Sequence, residues 1–415
     1  MKVFKFGGAS VKDAAGVRNL CRIVAHTQGD LLVVVSAMGK TTNALERVVT
    51  ALDGGDTVAA RTEWDSLLDY HRTVIAGLGL QNALGIDLPA DIPFTPGASF
   101  DCNYDQIVSL GEIISTRIVA AYLSAQGIPA AWWYMPSLLR TDASYGEAQV
   151  DMETSARLVQ AEWGSPRRPR VVVAQGFIGG TAAGLRTTLG REGSDYSAAL
   201  LGNFLGADSV TIWKDVPGIL NADPRLVKDT VLIPELSYND AVELSYSGAQ
   251  VIHPKTVRPL ENKRIPLYVK PFGDPDAAGS VIHAEARGPV GVPVYIWRKN
   301  QVLITMRAKD FSFVLEESLS HIFDVIREHR LRVSLIQSSA VTISVCVDSS
   351  RRLQEAMDCL SARYRLTYND RLSLLTIRGT TPEILQREKA GRTVLLSQTT
   401  RRTARLVIKE EEPET

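Results

Sequence analysis

Short apolar runs recur between residues 3 and 269, and each is followed by a pattern typical of a helix. The runs are rich in β-branched residues and end in clusters of Gly, Ser or Asp; they are Val3–Phe6, Leu31–Val35, Val171–Ala174, Ser209–Trp213 and Leu267–Val269. Continuous apolar runs are typical of strands buried on both faces. The alternation therefore predicts a mostly parallel sheet with helices on both sides.

The clearest helix is predicted between Asp105 and Gln126. Apolar residues recur there at helical spacing, at Ile107, Leu110, Ile114, Ile118 and Ala121. The segment Asp87–Ser99 contains three prolines and is predicted to be a connection. The segment Pro271–Gly279, rich in Gly, Pro and Asp, ends the alternating region. We therefore expect a first domain over residues 1–285.

The remaining sequence predicts a different architecture. The order is strand, helix, strand, strand, helix, strand, over Val302–Met306, Glu316–Glu328, Arg332–Gln337, Val341–Val347, Ser350–Ala362 and Leu372–Ile377. This is the ferredoxin-like order. Residues 381–409 add only one short helical stretch and two strand-like runs. We expect a second domain over 295–415, with a full module at 300–378 and a shortened one at 372–409.

Composition narrows the function classes. The 415 residues include 46 Lys+Arg and 46 Asp+Glu, and 45% are hydrophobic, which counts against disorder and against nucleic-acid binding. Residues 351–409 hold 13 basic and 5 acidic residues, a local excess of eight. A solvated sheet face is favoured there over an anion-binding patch.

Four cysteines show neither zinc-site spacing nor the density of a disulfide scaffold. The first eight residues lack a signal-type apolar stretch, and the longest apolar runs are too short for a membrane span. We therefore expect a cytoplasmic protein with no membrane partner.

A Gly-rich turn follows the first predicted strand. Residues 5–10 read KFGGAS, and a helical pattern begins near Asp13. Backbone without side chains can close on a phosphate, a helix N-terminus favours an anion, and Lys5 can reach a transferred group. The segment is neither a Walker A loop nor a GxGxxG fingerprint, and an ordinary tight turn is the favoured interpretation when the segment is taken alone.

Further segments combine turn residues with charge. Residues 190–197 read GREGSDYS before an apolar helix, where Ser194 or Asp195 can cap the helix and Arg191 suits a carboxylate. Residues 213–218 (WKDVPG) and 221–225 (NADPR) suit a nucleotide, although two β-turns explain them as well. The helical Gly111 beside Glu112 favours close helix packing.

In this order, these segments resemble the aspartokinases. The resemblance rests on KFGGAS, the helical Gly111-Glu112, residues 175–179 (QGFIG), 189–201, 213–225 and 248–254 (GAQVIHP). It spans residues 2–285, and the tail resembles the ACT regulatory module that follows the kinase domain in that family. The resemblance implies a three-layer α/β/α amino-acid-kinase fold followed by an ACT-type α+β region.

The resemblance also implies an activity, which is transfer of the γ-phosphoryl of MgATP to the side-chain carboxylate of L-aspartate. The product, 4-phospho-L-aspartate, opens aspartate-family amino-acid biosynthesis. The implied cofactors are ATP and Mg²⁺. Because ACT modules usually pair across subunits, a homodimer through this region is expected. Alternatives are a kinase of the same fold acting on another amino-acid carboxylate and a non-catalytic amino-acid or nucleotide sensor.

The family pattern assigns roles to individual residues. Lys5 neutralises charge on the moving phosphoryl, and Asp195 orients the catalytic groups. Arg191 pairs with the α-carboxylate of aspartate, and Glu112 takes its α-ammonium. The other assignments are Thr42, Phe177 and Ser194 in the amino-acid pocket, and Gly7, Gly8, Ser10, Lys214, Asp215, Arg225 and Gln250 on the nucleotide side.

Three positions depart from the family pattern. Gln250 stands where Lys is common, Leu220 where Tyr is common, and Glu192 where a small residue is usual. These changes concern nucleotide affinity more than the reaction, and Lys255 is the next cation on the segment of Gln250.

The ACT-type region predicts weak or absent inhibition by lysine. Loop 315–319 lacks the usual glycine, and Ser334 and Ala340 replace the acidic residues that hold the effector ammonium in lysine-sensitive relatives. A buried ammonium without a carboxylate partner is costly. Lysine titrations of the activity should show no inhibition in the micromolar range, and a submillimolar inhibition constant would contradict the expectation.

Overall fold

A computed structural model describes residues 1–83, 85–248, 252–286, 291–309 and 316–410. Gln250 and Leu315 lie outside these described residues. The chain forms two compact units. The first unit comprises Met1–Ile219, Leu232–Val242 and Val251–Arg287, and the second unit comprises Leu220–Val231, Glu243–Gln250 and Gly288–Thr415.

Twelve strands are described up to residue 282. They are β1 (Lys2–Phe6), β2 (Leu31–Val35), β3 (Ala130–Trp133), β4 (Val171–Gln175), β5 (Ile178–Gly180), β6 (Arg186–Thr188), β7 (Ser209–Lys214), β8 (Ile219–Leu220), β9 (Leu232–Ile233), β10 (Glu235–Leu236), β11 (Leu267–Pro271) and β12 (Ser280–Ile282). Eight of these form one sheet in the order β10-β12-β11-β7-β1-β2-β4-β3. Among the described residues, β11–β12 is the one antiparallel pair of this sheet.

The helices of the same part of the chain alternate with these strands. They are α1 (Ala14–His26), α2 (Thr41–Asp53), α3 (Thr57–Gly77), α4 (Phe100–Val108), α5 (Leu110–Ala125), α6 (Met135–Leu138), α7 (Met152–Trp163), α8 (Gly193–Leu205), α9 (Tyr238–Ser247) and α10 (Pro254–Glu261). Every residue of β2 and β4 is buried. The predicted mostly parallel sheet is thus confirmed, together with all five predicted strands of the first domain.

The long helix predicted from Asp105 is two consecutive helices, α4 and α5. Ser99 caps α4 by accepting a hydrogen bond from the Cys102 N–H, which moves the start towards the N-terminus. The buried Ser109 separates the two helices and its Oγ accepts a hydrogen bond from Arg186 Nε at 2.7 Å. The stretch Phe100–Ala125 is long and apolar enough to cross a membrane, but 83% of its apolar window is buried inside the structure. Such burial is typical of a core helix in a globular domain.

The described part of the second unit contains six further strands and three further helices. They are β13 (Val294–Ala308), α11 (Glu316–Glu328), β14 (Val333–Ser338), β15 (Thr342–Asp348), α12 (Leu353–Ser361), β16 (Tyr364–Arg378), α13 (Pro382–Lys389), β17 (Val394–Thr399) and β18 (Thr403–Lys409). The strands form one antiparallel sheet in the order β14-β15-β13-β16-β18-β17. The predicted ferredoxin-like order is confirmed.

Two long strands, β13 and β16, serve both halves of this sheet. Residues 301–308 of β13 pair with residues 364–372 of β16, and residues 294–298 pair with residues 374–378. The half that contains β17 and β18 therefore receives a strand from a segment that precedes the first module. The sequence pattern placed the last strand of the first module at Leu372, whereas β16 begins at Tyr364, because its first half carries mostly exposed polar residues that hide the alternation.

Candidate active site

The first unit contains a cavity of about 660 Å³ at the carboxyl ends of its central strands. Such edges are the usual place for ligands in open α/β sheets. The cavity brings together eight of the predicted site residues, namely Lys5, Thr42, Glu112, Phe177, Arg191, Ser194, Asp195 and Lys214. These residues come from segments up to 209 positions apart in the sequence (214 minus 5), so only the fold assembles the site.

Two lysines and one aspartate form a buried charged group in this cavity. Lys5 Nζ lies 2.6 Å from Asp195 Oδ1, and Lys214 Nζ lies 3.7 Å from Asp195 Oδ2. Burial alone would raise the pKa of Asp195, but the two lysine charges outweigh it and hold this pKa below its usual value. The group therefore carries one net positive charge, which suits a phosphate.

Asp195 lies in the first turn of α8, where the helix dipole favours a carboxylate. Neither Ser194 nor Asp195 caps this helix, contrary to one interpretation of the sequence. The cap position is Glu192, which has a left-handed backbone (φ 54°) and makes no capping hydrogen bond. Gly190 also has positive φ (75°), so the backbone turns sharply around Arg191. The turn brings Arg191 to the wall of the cavity.

Glu112 is a buried acid with an unused oxygen. The residue is only 3% exposed, and its Oε1 accepts a hydrogen bond from the Ala37 N–H at 3.1 Å. Its Oε2 is buried and has no hydrogen-bond partner among the described residues. Burial raises the pKa of Glu112 to about 8, although the Ala37 N–H and the Lys5 charge act in the opposite direction. A ligand ammonium at this oxygen would supply the missing partner.

Close packing of glycines shapes this part of the wall. A Cβ on Gly111 would lie 2.8 Å from the Ala37 Cβ, so the interpretation of Gly111 as a close-packing residue is supported. A Cβ on Gly8 would lie 2.7 Å from the Ala37 carbonyl oxygen, and the Gly8 oxygen accepts a hydrogen bond from the Gly39 N–H at 3.0 Å. The turn after β1 and the loop after β2 therefore pack backbone against backbone.

The other predicted turn residues lie beside Lys5 in the chain. A Cβ on Gly7 would be 3.5 Å from Lys5 Nζ, and the Ser10 N–H donates to the Gly7 oxygen at 3.0 Å. Ser10 is buried. Gly7, Gly8 and Ser10 do not line the 660 Å³ cavity themselves. Their contact with a nucleotide stays a prediction.

The amino-acid side of the cavity contains a strained aromatic residue and a cation. Phe177 has positive φ (67°), and its N–H donates to Ser197 Oγ at 3.0 Å. Gly176 allows this turn, because a Cβ there would lie 2.5 Å from the Ser194 Cβ. The Arg191 guanidinium is exposed and forms no ion pair with the residues that the structure describes. Its forked donors are therefore available to a carboxylate.

The predicted nucleotide residues are only partly assembled. Lys214 ends β7 in the cavity, and the exposed Asp215 follows it without lining the cavity. Arg225 belongs to the second unit and forms a two-pronged ion pair with Asp223, with Nη2–Oδ2 at 2.7 Å. Gln250 is not described. The roles of Asp215, Arg225 and Gln250 therefore stay predictions.

Several lining residues were not predicted from the sequence. Glu46 and Tyr104 face each other in the cavity, and the Tyr104 hydroxyl donates to Glu46 Oε1 at 2.9 Å. Glu46 lies four residues after Thr42 on α2, a helical spacing that could have identified it. Glu147 also lines the cavity, and Lys255 Nζ lies 3.5 Å from its Oε1. Lys255 therefore reaches the cavity wall.

A buried carboxylate outside the cavity holds one of its loops. Asp105 is fully buried and accepts hydrogen bonds from the Thr188 N–H (2.9 Å), the Thr188 hydroxyl (2.7 Å) and the Gly146 N–H (3.1 Å). Gly146 lines the cavity, whereas Thr188 belongs to β6. Asp105 therefore positions the wall without touching a ligand.

We expect Asp105→Asn to lower the free energy of unfolding by about 1–3 kcal/mol. The amide can replace only one carboxylate oxygen, and its NH₂ group would face the N–H donors that Asp105 now satisfies. Urea denaturation followed by circular dichroism measures the change. The control Asp101→Asn alters an exposed residue of the same helix, and equal stability of the two variants would contradict this account.

The chemistry of the cavity fits transfer of a charged group between two bound ligands. Lys5 and Lys214 suit a phosphate, and Arg191 together with Glu112 suits the two charged ends of a free amino acid. Within the described residues, no group of three or more His, Cys, Asp or Glu side chains could hold a metal ion alone. Mg²⁺ is commonly held by one or two carboxylates together with substrate phosphates, so a site completed by the nucleotide needs no such group.

Comparisons with known proteins agree with this geometry. Residues 1–271 match the model of the Amino acid kinase family. The lysine-sensitive aspartokinase 3 of Escherichia coli (strain K12) is 30% identical over 397 residues, which cover 91% of this chain and 86% of that protein. The bifunctional aspartokinase/homoserine dehydrogenase 2 of the same organism is 33% identical over 327 residues, but this chain spans only 40% of its length.

A solved structure extends the similarity to the whole fold. The structure of E. coli aspartokinase III in complex with aspartate and ADP has a TM-score of 0.78 and 27% identity, covering 99% of this chain and 96% of that one. The family model, the relatives and the structural match agree with the motifs quoted above. The chain therefore belongs to the amino acid kinase family and, within it, to the aspartokinases.

Proposed function

We propose that this chain transfers the γ-phosphoryl group of ATP to the side-chain carboxylate of L-aspartate, giving 4-phospho-L-aspartate. The observation that carries the proposal is the meeting of Lys5, Asp195, Arg191 and Glu112 around one cavity. Transfer of a phosphoryl group needs in-line positioning and neutralisation of charge rather than covalent chemistry from the protein. The cavity offers cations on one side and paired opposite charges on the other.

On the phosphoryl side, Lys5 is the residue that stabilises the moving group. Its ammonium lies at the end of the central strand β1, and its contact with Asp195 fixes its position. Asp195 keeps its negative charge because of the two lysines. It thereby orients Lys5 and Lys214 towards the same point, and little reorganisation is needed when the negative charge of the transition state develops.

On the amino-acid side, Glu112 and Arg191 bind the α-ammonium and the α-carboxylate of aspartate. The unpartnered Glu112 Oε2 accepts from the α-ammonium, and the Arg191 guanidinium takes the α-carboxylate in a two-pronged contact. The side-chain carboxylate is then directed towards Lys5. Thr42, Phe177 and Ser194 complete the wall. An N-acetylated substrate lacks the ammonium that Glu112 requires, so the pair favours a free amino acid.

Mg²⁺ is proposed to enter with the nucleotide. When bound, it neutralises charge on the phosphate oxygens during transfer. Asp195 is the carboxylate on the phosphoryl side of the cavity that would hold it. Lys255, whose Nζ lies 3.5 Å from Glu147 Oε1, brings one further cation to the cavity wall.

We also propose a homodimer formed through the second unit, in a cytoplasmic enzyme. Among the described strands, β14 and β17 lie at the edges of the six-stranded sheet and can pair with another chain. All four cysteines are free, in keeping with a reducing compartment.

The activity can be tested by trapping the acyl phosphate with hydroxylamine. With ATP, Mg²⁺ and L-aspartate we expect a hydroxamate, and with N-acetylglutamate none. Lys5→Ala should lower the rate by about 100-fold or more, because the charge on the moving phosphoryl loses its main partner. Lys2→Ala on the same strand is the control, since Lys2 is exposed. Absence of hydroxamate with aspartate would refute the proposed function.

Aspartate binding should strengthen as pH rises from 6 to 8. Only the ionised form of Glu112 accepts the ammonium. Because the pKa of Glu112 is about 8, the ionised fraction increases about tenfold for each pH unit at pH values below 8. Binding should therefore release a proton, which calorimetry in buffers of different ionisation enthalpy measures directly. Glu112→Gln keeps the shape and should bind more weakly, without this pH dependence. Proton release that persists in Glu112→Gln would contradict the assignment.

A further inference from the structure

A second, more enclosed cavity lies within the second unit and plays no part in the proposed reaction. Its volume is about 260 Å³, and its wall combines hydroxyl groups, a few apolar side chains and three arginines. The arginines are Arg298 on β13, Arg332 just before β14 and Arg405 on β18. We call this site the arginine cavity.

The three guanidinium groups have no acidic partner in this cavity. No Asp or Glu is among the described residues that line it. Within the part of the chain that the structure describes, the Arg298 guanidinium donates one hydrogen bond, to the neutral Ser334 Oγ at 2.7 Å. The guanidinium groups of Arg332 and Arg405 make neither a hydrogen bond nor an ion pair with the part of the chain that the structure describes. Three like charges therefore face a common space.

Electrostatics supports this description of the cavity. Burial lowers the pKa of Arg298, and the positive charge of Arg332 lowers it further. The acid that acts against this effect is Asp348, and its Oδ1 already accepts a hydrogen bond from Gln301 Nε2 at 2.6 Å. Asp348 does not line the cavity.

Backbone geometry holds Arg298 in place. Gly248 has positive φ (112°), and a Cβ there would lie 2.7 Å from Arg298 Nε. The glycine therefore lets the backbone pack directly against the guanidinium stem. Only a residue without a side chain combines this backbone conformation with so close an approach. The cation is consequently fixed at the wall rather than free to turn into solvent.

We propose that the arginine cavity binds a small oxyanion. This oxyanion is free phosphate, or it is the phosphate or carboxylate group of a small metabolite. Guanidinium forks match the geometry of these groups, and the hydroxyls of Ser334 and Thr376 add further polar atoms to the wall. The volume is below the range of pockets for drug-sized ligands, which favours a ligand of few atoms. A bound anion would remove the repulsion between the three cations.

The proposal can be tested with inorganic phosphate on the full chain. Thermal unfolding and calorimetric titration in a phosphate-free chloride buffer should show stabilisation and binding. The double variant Arg332→Gln/Arg405→Gln should weaken that binding by about tenfold or more, because each charge-assisted contact contributes roughly a factor of ten. Neither arginine has an acidic partner to leave unpaired, so the variant should be at least as stable as the unmodified chain without phosphate.

The matched control is Arg363→Gln/Arg401→Gln, which removes the same charge from exposed positions of the second unit. Phosphate that binds in the 660 Å³ cavity of the first unit contributes equally in the unmodified chain and in both double variants, so it cancels in the comparison. An equal phosphate response in both double variants would overturn the proposal. The proposal would also be overturned if Arg332→Gln/Arg405→Gln changed the molecular mass measured by sedimentation but kept the phosphate response. The arginines would then serve a contact between subunits. A succinate response lost only in Arg332→Gln/Arg405→Gln would extend the site to carboxylates.

Discussion

The first unit is organised around the buried contact between Lys5 and Asp195. Both side chains are almost inaccessible, at 11% and 5% exposure, and an isolated charge in such a place would be strongly unfavourable. Each charge is tolerable only because the other is present, so the end of β1 and the first turn of α8 are bound to one relative position. Lys214 then adds a second cation to the same carboxylate. The group of two lysines and one aspartate carries one net positive charge, which suits a phosphate.

The glycines of the motifs are needed for close backbone packing as well as for ligand binding. Gly8 and Gly111 both approach Ala37, and Gly176 approaches Ser194, at distances that leave no room for a Cβ. These contacts bring the turns after β1, β2 and β4 together where the strands end. The backbone that results is close enough for Lys5 and Glu112 to act on neighbouring parts of one cavity. A motif read as phosphate-binding is therefore also the reason that the walls meet.

Sequence patterns predicted those parts of the molecule that depend on local chemistry. Continuous apolar runs predicted β1 and β2, and the resemblance to a family identified eight residues that meet in one cavity. The positioning role of Asp105 could not be predicted, because its partners Gly146 and Thr188 are 41 and 83 residues away. Glu192 as the cap of α8 was also missed, since a left-handed Glu contradicts its ordinary preference.

In the second unit, too, the features that the sequence did not predict depend on pairing between distant segments. The alternation of its strands is visible in the sequence, but the pairing of residues 294–298 with residues 374–378 is not. This pairing makes one strand a member of both halves of the sheet. Arg298 lies where the register of β13 shifts, between the part that pairs with the end of β16 and the part that pairs with its beginning. The fold of the second unit brings together Arg298 from β13, Arg405 from β18 and Arg332 from just before β14, although no local sequence pattern places them together.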